Sequence, residues 1–234
     1  MGPLDVLWED PYGLAVNKPA GLLTQPARSG DDQPTLEGSI RLHLRPDDPA
    51  SVYLGTVHRL DRPVSGVILW AKTPKAAHRW AEQFAGRLAR KEYWAIVELG
   101  ANGIPQTGEV WDDWLLGPDR SGQAQVVPPG TPGAVQAITR VEVGDPEPVS
   151  PSGDRLLWLK LRPETGRTHQ LRAQAASRGW PIVGDATYGS TTPFDRGIAL
   201  HARTLAVEHP IRRSPMTLHA PPPPSWSGWR VLGA

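Results

Sequence analysis

The sequence contains no cysteine, which excludes disulfide bonds, thiolate catalysis and zinc sites built on cysteine. It also contains no apolar stretch of the roughly 18 residues that a membrane-spanning helix requires. Its first residues, Met1 to Asp5, lack the basic and apolar regions of a signal peptide. The sequence therefore predicts a cytoplasmic protein that has no membrane partner.

The chain has 234 residues, of which 39% are hydrophobic and 21% are charged. This composition is typical of a globular protein and differs from that of a disordered chain. The length suits one large domain or two small ones. We expect a single domain over residues 1–234 and, because no long exposed apolar seam is evident, a monomer.

The net charge of +1 hides an uneven distribution of charged residues. Residues 41–94 hold ten Lys or Arg and five Asp or Glu, and residues 155–213 hold ten and four. Between them, residues 95–154 hold two basic and nine acidic residues. If the fold joins the two basic blocks, they form a positive cleft that can follow a row of phosphates. The alternative is a set of solvated helix faces.

Short apolar or alternating runs predict many strands, and a few segments with apolar residues every four positions predict helices. The predicted strands are 6–8, 14–16, 67–71, 92–99, 156–161, 199–202 and 205–207, and the predicted helices are 35–44, 74–90 and 168–178. The middle of the chain reads as hairpins joined by loops, and residues 26–34 as a mobile loop. This pattern indicates an α+β fold around a mixed, mainly antiparallel sheet flanked by helices and loops.

The segment from Thr56 to Gly66 carries the first candidate site, Asp61, which stands between Arg59 and Arg62. A carboxylate beside two arginines stays ionised at neutral pH, so Asp61 can act as a nucleophile or a base. Loops anchored on strands are common places for site residues. The alternative is an Asp–Arg pair that only braces a turn.

A second segment runs from Arg162 to Gln174 and leads from a predicted strand into the start of a helix. Arg167 and Arg172 offer forked donors suited to phosphate or carboxylate, and Gly166 permits close approach of a ligand. A phosphate site and a salt bridge to an interior acid are both compatible with this pattern.

Taken together, the motifs resemble those of the RluA family of RNA pseudouridine synthases. The catalytic motif of that family is His-Arg-Leu-Asp followed by Ser-Gly and an apolar strand, and residues 58–71 match it. Valine stands at position 64, where the family usually has threonine. The other matching blocks, in chain order, are Asn17–Gly21, Arg90–Ala95, Thr165–Arg172, Pro181–Asp185 with Tyr188–Gly189, and Leu200–Ala202 with Leu205 and His209–Pro210.

The resemblance, which covers residues 5–210, implies the pseudouridine synthase fold and a reaction that needs no cofactor and no metal. It implies that Asp61 is the catalytic carboxylate, that Arg167 pairs with it, and that Tyr93 packs on the target base and assists the final proton removal. It also implies an RNA partner, either rRNA or tRNA. Many relatives carry an N-terminal S4 RNA-binding domain, which we expect to be absent because the first hairpin begins at residue 5.

We expect Arg59, Arg62 and Arg172 to contact RNA, with Arg59 filling the space that a flipped uridine leaves. Other tempting residues have plainer interpretations. The histidines show no metal-ligand spacing, and several tryptophans occupy core positions of periodic elements. The residues expected to be structural are His58, His169, Trp70, Trp80, Trp158 and Lys18, the last with a minor RNA contact.

Two rival functions follow from the same residues. A non-catalytic RNA-binding relative would keep the fold without turnover, although the intact Asp61, Tyr93 and Arg167 argue against it. A hydrolase that uses Asp61 with a bound metal would need further carboxylates nearby, and none cluster within the motif blocks.

Overall fold

The computed structural model describes residues 3–26, 33–100, 103–144 and 156–229. The chain divides into two compact units. Unit 1 consists of Met1–Arg90 and Ala202–Pro221, and unit 2 of Lys91–His201 and Pro222–Ala234. The single domain expected from the sequence stays a prediction. Most of the mobile loop predicted at 26–34 lies outside the described residues.

Unit 1 combines antiparallel strand pairs with two helices. Its elements are β1 (Val6–Glu9), β2 (Gly13–Lys18), α1 (Leu36–Leu44), β3 (Gly55–Thr56), β4 (Ser65–Ala71), α2 (Pro74–Ala85), most of β10 (Leu200–Glu208) and β11 (Pro215–His219). Strand β2 lies between β1 and β4, and β4 also pairs with β3 and neighbours β10, which pairs with β11. The central strand β4 is buried along its whole length, as its continuous apolar run predicts.

Unit 2 contains an antiparallel meander and one short helix. Its elements are β5 (Arg90–Glu98), β6 (Val110–Leu116), β7 (Gln125–Val127), β8 (Val135–Val143), β9 (Leu156–Pro163) and α3 (Gln170–Ser177). The strands lie in the order β5-β9-β8-β6-β7, and each of these pairs is antiparallel.

Parallel pairing also occurs in the chain, since an isolated parallel bridge joins Leu23 to Thr35 in unit 1. The α+β fold with a mixed, mainly antiparallel sheet is confirmed.

Helix ends follow local chemistry. Thr35 caps α1 by accepting a hydrogen bond from Gly38 N at 3.1 Å, a common way to satisfy a free backbone donor. The predicted helix 74–90 was too long, because α2 ends at Ala85 and Arg87 adopts a φ of 58°. The fourth apolar residue of that pattern, Leu88, is 70% exposed.

Tryptophans fill the core, as predicted. Trp70 and Trp80 are fully enclosed in unit 1, and Trp158 is buried in unit 2. The indole nitrogen of Trp80 donates to Glu208 O at 3.0 Å, so this polar atom is satisfied inside the core. The two short strands predicted at 199–202 and 205–207 form one continuous strand, β10.

The glycine of the Ser-Gly pair in the catalytic motif is required for steric reasons. Gly66 lies on β4 with a φ of 119°, and a Cβ built there would be 2.3 Å from Ala202 O on β10. No L side chain fits this close approach between strands. The glycine therefore fixes how the strand that follows the Asp61 loop packs on its neighbour.

Candidate active site

In unit 1, Asp61 lies in the loop between β3 and β4. Its neighbours Leu60 and Val64 are buried, and Val64 N donates to Asp61 O at 3.1 Å. Leu60 and Val64 anchor the loop in the core, whereas the Asp61 side chain stays half-buried and Arg59 is exposed. The burial of Val64 explains why an apolar side chain is accepted where the family usually has threonine.

A segment that follows β2 holds the Asp61 loop from one side. Gly21 N donates to Arg62 O at 2.8 Å, and Arg62 Nε donates back to Gly21 O at 3.0 Å. Thr24 Oγ1 donates to Leu60 O at 2.7 Å in a buried hydrogen bond. The motif block at Asn17–Gly21 therefore supports the backbone after Asp61, at Arg62, and Thr24 supports the backbone before it, at Leu60. We call the contacts between residues 18–24 and 60–62 the loop clamp.

Lys18 is the buried centre of the loop clamp. Its side chain is fully enclosed, and Nζ donates to Pro19 O, Leu22 O and Arg62 O at 3.0, 2.8 and 3.2 Å. Burial lowers the pKa of Lys18 to about 7, and the Asp61 carboxylate opposes this shift. The bracing role predicted for Lys18 matches this geometry.

His58 supports the same loop from the helix side. Its Nε2 accepts a hydrogen bond from Leu69 N at 2.9 Å on β4, and its ring stacks on Phe84 of α2 with centroids 4.7 Å apart. An Nε2 that accepts from a backbone N–H carries no proton. This arrangement fits the structural role predicted for His58.

In unit 2, Tyr93 lies on β5 opposite Leu161 of β9. The Tyr93 side chain is half-buried. Lys91 stands two positions earlier on the same strand and therefore on the same face. Its Nζ donates to Thr165 O at 3.0 Å. Lys91 thus links the tyrosine block to the turn that carries Arg167.

A buried glutamine organises that turn, which spans residues 164–169. Gln170 Oε1 accepts from Thr165 Oγ1 at 2.8 Å and from Arg167 N at 3.0 Å. Its Nε2 donates to Ile138 O at 3.1 Å and to Thr139 Oγ1 at 3.0 Å on β8. The amide of Gln170 therefore ties the turn to the sheet, a role that the sequence analysis missed.

Arg167 is exposed at the tip of this turn. Its Nε donates to Gln136 O at 2.9 Å, which restricts the directions in which the guanidinium can point. Among the described residues its terminal nitrogens have no hydrogen-bond partner, and such a planar group binds a carboxylate or a phosphate through them. Arg167 lies in unit 2 and Asp61 in unit 1, and their pairing stays a prediction.

Arg172 has a different environment from the one predicted. It is buried, and its Nε and a terminal nitrogen donate to the two carboxylate oxygens of Asp185 at 2.6 and 2.8 Å. Its guanidinium also lies 4.9 Å from the ring centroid of Tyr188. Of the two alternatives for this segment, the salt bridge to an interior acid is present at Arg172. An RNA contact by this enclosed side chain conflicts with its geometry.

His169 also has a local structural role. It precedes α3 with a left-handed φ of 56°, and its Nδ1 lies 3.0 Å from Tyr188 Oη. The contacts of Tyr188 with His169 and Arg172 brace the start of the helix, and Tyr188 Oη also accepts a hydrogen bond from Ala124 N at 2.8 Å. The prediction that His169 holds a loop agrees with this position.

Two other kinds of site, a metal-binding cluster and a membrane-spanning helix, are absent from the described ranges. Within them, no three His, Asp or Glu side chains are grouped so that they could hold a metal ion. In the same part of the chain, every helix is too short or too polar to span a bilayer.

The family follows from comparison of the whole sequence. Residues 12–177 match the family model of RNA pseudouridylate synthases, a span that includes the Asp61 loop, the tyrosine block and the Arg167 turn. The chain belongs to this family. The resemblance to the RluA type is also confirmed, by curated relatives of that type.

Three relatives illustrate the similarity. The dual-specificity RNA pseudouridine synthase RluA of Escherichia coli strain K12 is 34% identical over 226 residues, which are 93% of each chain. The tRNA pseudouridine synthase C of Salmonella typhimurium is 30% identical over 254 residues, 98% of this chain and 92% of the relative. An uncharacterised RNA pseudouridine synthase of Bacillus subtilis is 34% identical over 222 residues, 95% of this chain and 70% of the relative.

A solved structure supports the fold assignment. The human RNA pseudouridylate synthase domain containing 1 superposes with a TM-score of 0.73 at 25% identity, and the match covers 95% of this chain and 87% of the human one. The pseudouridine synthase fold predicted from the motifs is therefore confirmed.

Proposed function

We propose that this chain converts specific uridines in structured rRNA or tRNA to pseudouridine, with Asp61 as the catalytic carboxylate. The observation that carries the proposal is the loop clamp, which fixes the backbone beside Asp61 through Lys18, Thr24 and Gly21. A fixed carboxylate on a rigid loop is what positioned catalysis requires. The named activities of the relatives support the same conclusion.

The reaction is an isomerisation and needs no co-reactant. The N1–C1′ bond of uridine breaks, the base turns, C5 joins C1′, and the proton on C5 is lost as N1 gains one. Asp61 can add to the sugar or the base as a nucleophile, or accept a proton. Its half-buried position in the loop leaves its side chain accessible to a flipped nucleotide.

Tyr93 and Arg167 also have proposed roles in the reaction. Tyr93 would pack on the uracil ring and assist removal of the C5 proton. Arg167 would pair with Asp61 and keep it ionised and oriented. Support comes from the way Gln170 fixes the Arg167 turn and from the orienting bond between Arg167 and Gln136 O.

Arg59 is proposed to stabilise the flipped state of the RNA. It is exposed two residues before Asp61, and its flat guanidinium can stack in the space that the uridine leaves. Arg59→Ala should therefore lower the rate on structured RNA more than on a short unpaired RNA, which needs no flipping. An equal loss on both RNAs would contradict this role. Arg62 is exposed and, over the part of the chain that the structure describes, its guanidinium donates through Nε alone, to Gly21 O. Its other donors can bind a neighbouring phosphate.

We also propose that the chain is a single catalytic domain, that its reaction needs no cofactor, that it is a monomer and that it acts in the cytoplasm. The bacterial relatives with RNA-modifying names support the location. Light scattering of the purified chain tests the monomer, and turnover after exhaustive dialysis against EDTA tests independence from metal.

The main experiment identifies the substrate pool. Bulk tRNA and rRNA labelled with 5-³H-uridine are incubated with the wild-type chain, and tritium release is measured. We expect release from at least one pool, and the pool that responds gives the substrate class. Binding to both pools without release would instead favour the non-catalytic RNA-binding relative.

A further inference from the structure

Lys91 carries a positive charge into the candidate site of unit 2. It lies on β5, on the same face as Tyr93, and its side chain is half-buried. Its Nζ reaches the turn before α3 and donates to Thr165 O at 3.0 Å. The ammonium is therefore held between two of the motif blocks by one hydrogen bond.

The hydrogen bonds of Lys91 leave donors unused. A lysine ammonium has three N–H donors. Lys18 uses all three on backbone carbonyls, whereas over the described ranges Lys91 uses one, on Thr165 O. The ammonium of Lys18 therefore has no N–H donor left for a ligand. Lys91 keeps two N–H donors for a ligand.

The acids next to Lys91 and Thr165 in the chain are paired with other residues. Glu92 lies 2.8 Å from Arg162, and Glu164 lies 2.7 Å from Arg140. Burial lowers the pKa of Lys91 to about 8, and among the described residues no carboxylate opposes the shift. A half-buried ammonium that lacks an acidic partner is costly to maintain, and a bound anion would offset this cost.

Access to the ammonium is kept open by a glycine. Gly166 is exposed beside Lys91, and a Cβ built on it would lie 3.5 Å from Nζ. A larger residue at this position would place its side chain against the ammonium. Arg167, the next residue, is exposed on the same turn.

We propose that Lys91 binds a backbone phosphate of the RNA next to the target uridine, as a binding residue in addition to the arginines. This inference rests on the proposed function, because it assumes that the same site receives RNA. Lysine binds phosphate as a point charge through its N–H donors. A purely structural lysine that only ties the Thr165 turn is the competing explanation.

Salt dependence separates the two explanations. RNA affinity is measured against salt concentration for wild type, Lys91→Gln and Lys91→Arg, with Lys75→Gln as a control that removes one exposed charge on α2. Each phosphate contact contributes about 0.7–0.9 to the slope of log K against log salt. We expect Lys91→Gln to lose about one such contact and to bind about tenfold more weakly, whereas Lys91→Arg and Lys75→Gln keep the wild-type slope. An unchanged slope for Lys91→Gln, or an equal loss for Lys75→Gln, would overturn the proposal.

Removal of single phosphate charges identifies the contact. RNAs with one neutral methylphosphonate at each linkage around the target uridine are bound to wild type and to Lys91→Gln. At one linkage the wild type should lose about tenfold in affinity while Lys91→Gln loses almost nothing further. Additive losses at every linkage would show that Lys91 touches no phosphate.

Failure of this inference differs from failure of the proposed function. Tritium release by the wild type is measured first, with the same RNA. If the wild type releases tritium and Lys91→Gln keeps the wild-type salt slope, the phosphate contact is rejected and the enzyme assignment stands. The absence of release, with the Lys91 effects present, would keep the phosphate contact and reject the proposed reaction.

Discussion

The buried lysine of the loop clamp makes a prediction about the pH dependence of stability. Lys18→Met replaces the ammonium with an apolar side chain of similar length. Burial lowers the folded-state pKa of Lys18 from 10.5 to about 7. Below about pH 7 the folded protein bears the full cost of the buried charge. Between pH 7 and 10.5 the unfolded chain binds one more proton at Lys18 than the folded chain, so stability rises with pH in this window.

The size of the effect follows from the shift. One proton difference changes the free energy of unfolding by about 1.4 kcal/mol per pH unit. From pH 7.5 to 9.5 the wild type should therefore gain about 2–3 kcal/mol relative to Lys18→Met, which lacks the group. Lys91, with a pKa of about 8, adds its own slope above pH 8 to both proteins and cancels in the comparison.

Urea unfolding at pH 7.5, 8.5 and 9.5 measures this difference. Lys75→Met is the matched control, because Lys75 is exposed on α2 and its loss should leave the pH slope unchanged. Lys18→Met should also lower the rate of tritium release, since three hydrogen bonds around the Asp61 loop disappear. A stability difference from wild type that stays constant over this pH range would refute the account of Lys18.

Two other substitutions test the frame around the site. Gly66→Ala places a Cβ 2.3 Å from Ala202 O, so we expect the free energy of unfolding in urea to fall by at least about 2 kcal/mol. Gly117→Ala is the control, because no atom lies within 4 Å of a Cβ built there. Equal losses for the two variants would contradict the steric argument. Arg172→Met leaves the buried Asp185 without its partner and should cost about 3–5 kcal/mol of stability. RNA affinity measured on the folded fraction should stay unchanged, and a selective loss of affinity would restore Arg172 as an RNA contact.

Local patterns predicted some elements well and others poorly. The apolar run at 67–71 gave the position of β4 because a fully buried strand has a distinct composition. The four-residue spacing continued to Leu88, yet the chain leaves the helix after Ala85 as Arg87 takes a left-handed φ. The spacing of apolar residues does not show such a turn. The predicted helix was therefore too long.

In the candidate site, too, local patterns predicted some contacts and missed others. The motif identified Asp61, but the loop clamp binds the backbone carbonyls of residues 60 and 62. Every residue type has such a carbonyl, so the sequence does not reveal this contact. The forked donors of Arg172 suit either a phosphate or an interior carboxylate, and the sequence alone does not distinguish the two. Its partner Asp185 lies 13 residues away. Lys91 and Gln170 carried no signal beyond their motif blocks, since their roles come from tertiary hydrogen bonds, one from Lys91 to the turn and four that join Gln170 to the turn and to β8.

The most direct test of the central claim concerns the Asp61 carboxylate. Asp61→Asn keeps the size of the side chain and removes its charge, and both tritium release under single-turnover conditions and RNA affinity are measured for the variant and the wild type. We predict no detectable release by Asp61→Asn. Its RNA affinity should stay within about twofold of wild type, which corresponds to less than about 0.5 kcal/mol of binding free energy. Release by Asp61→Asn at a rate close to that of the wild type would contradict the assignment of Asp61 as the catalytic residue.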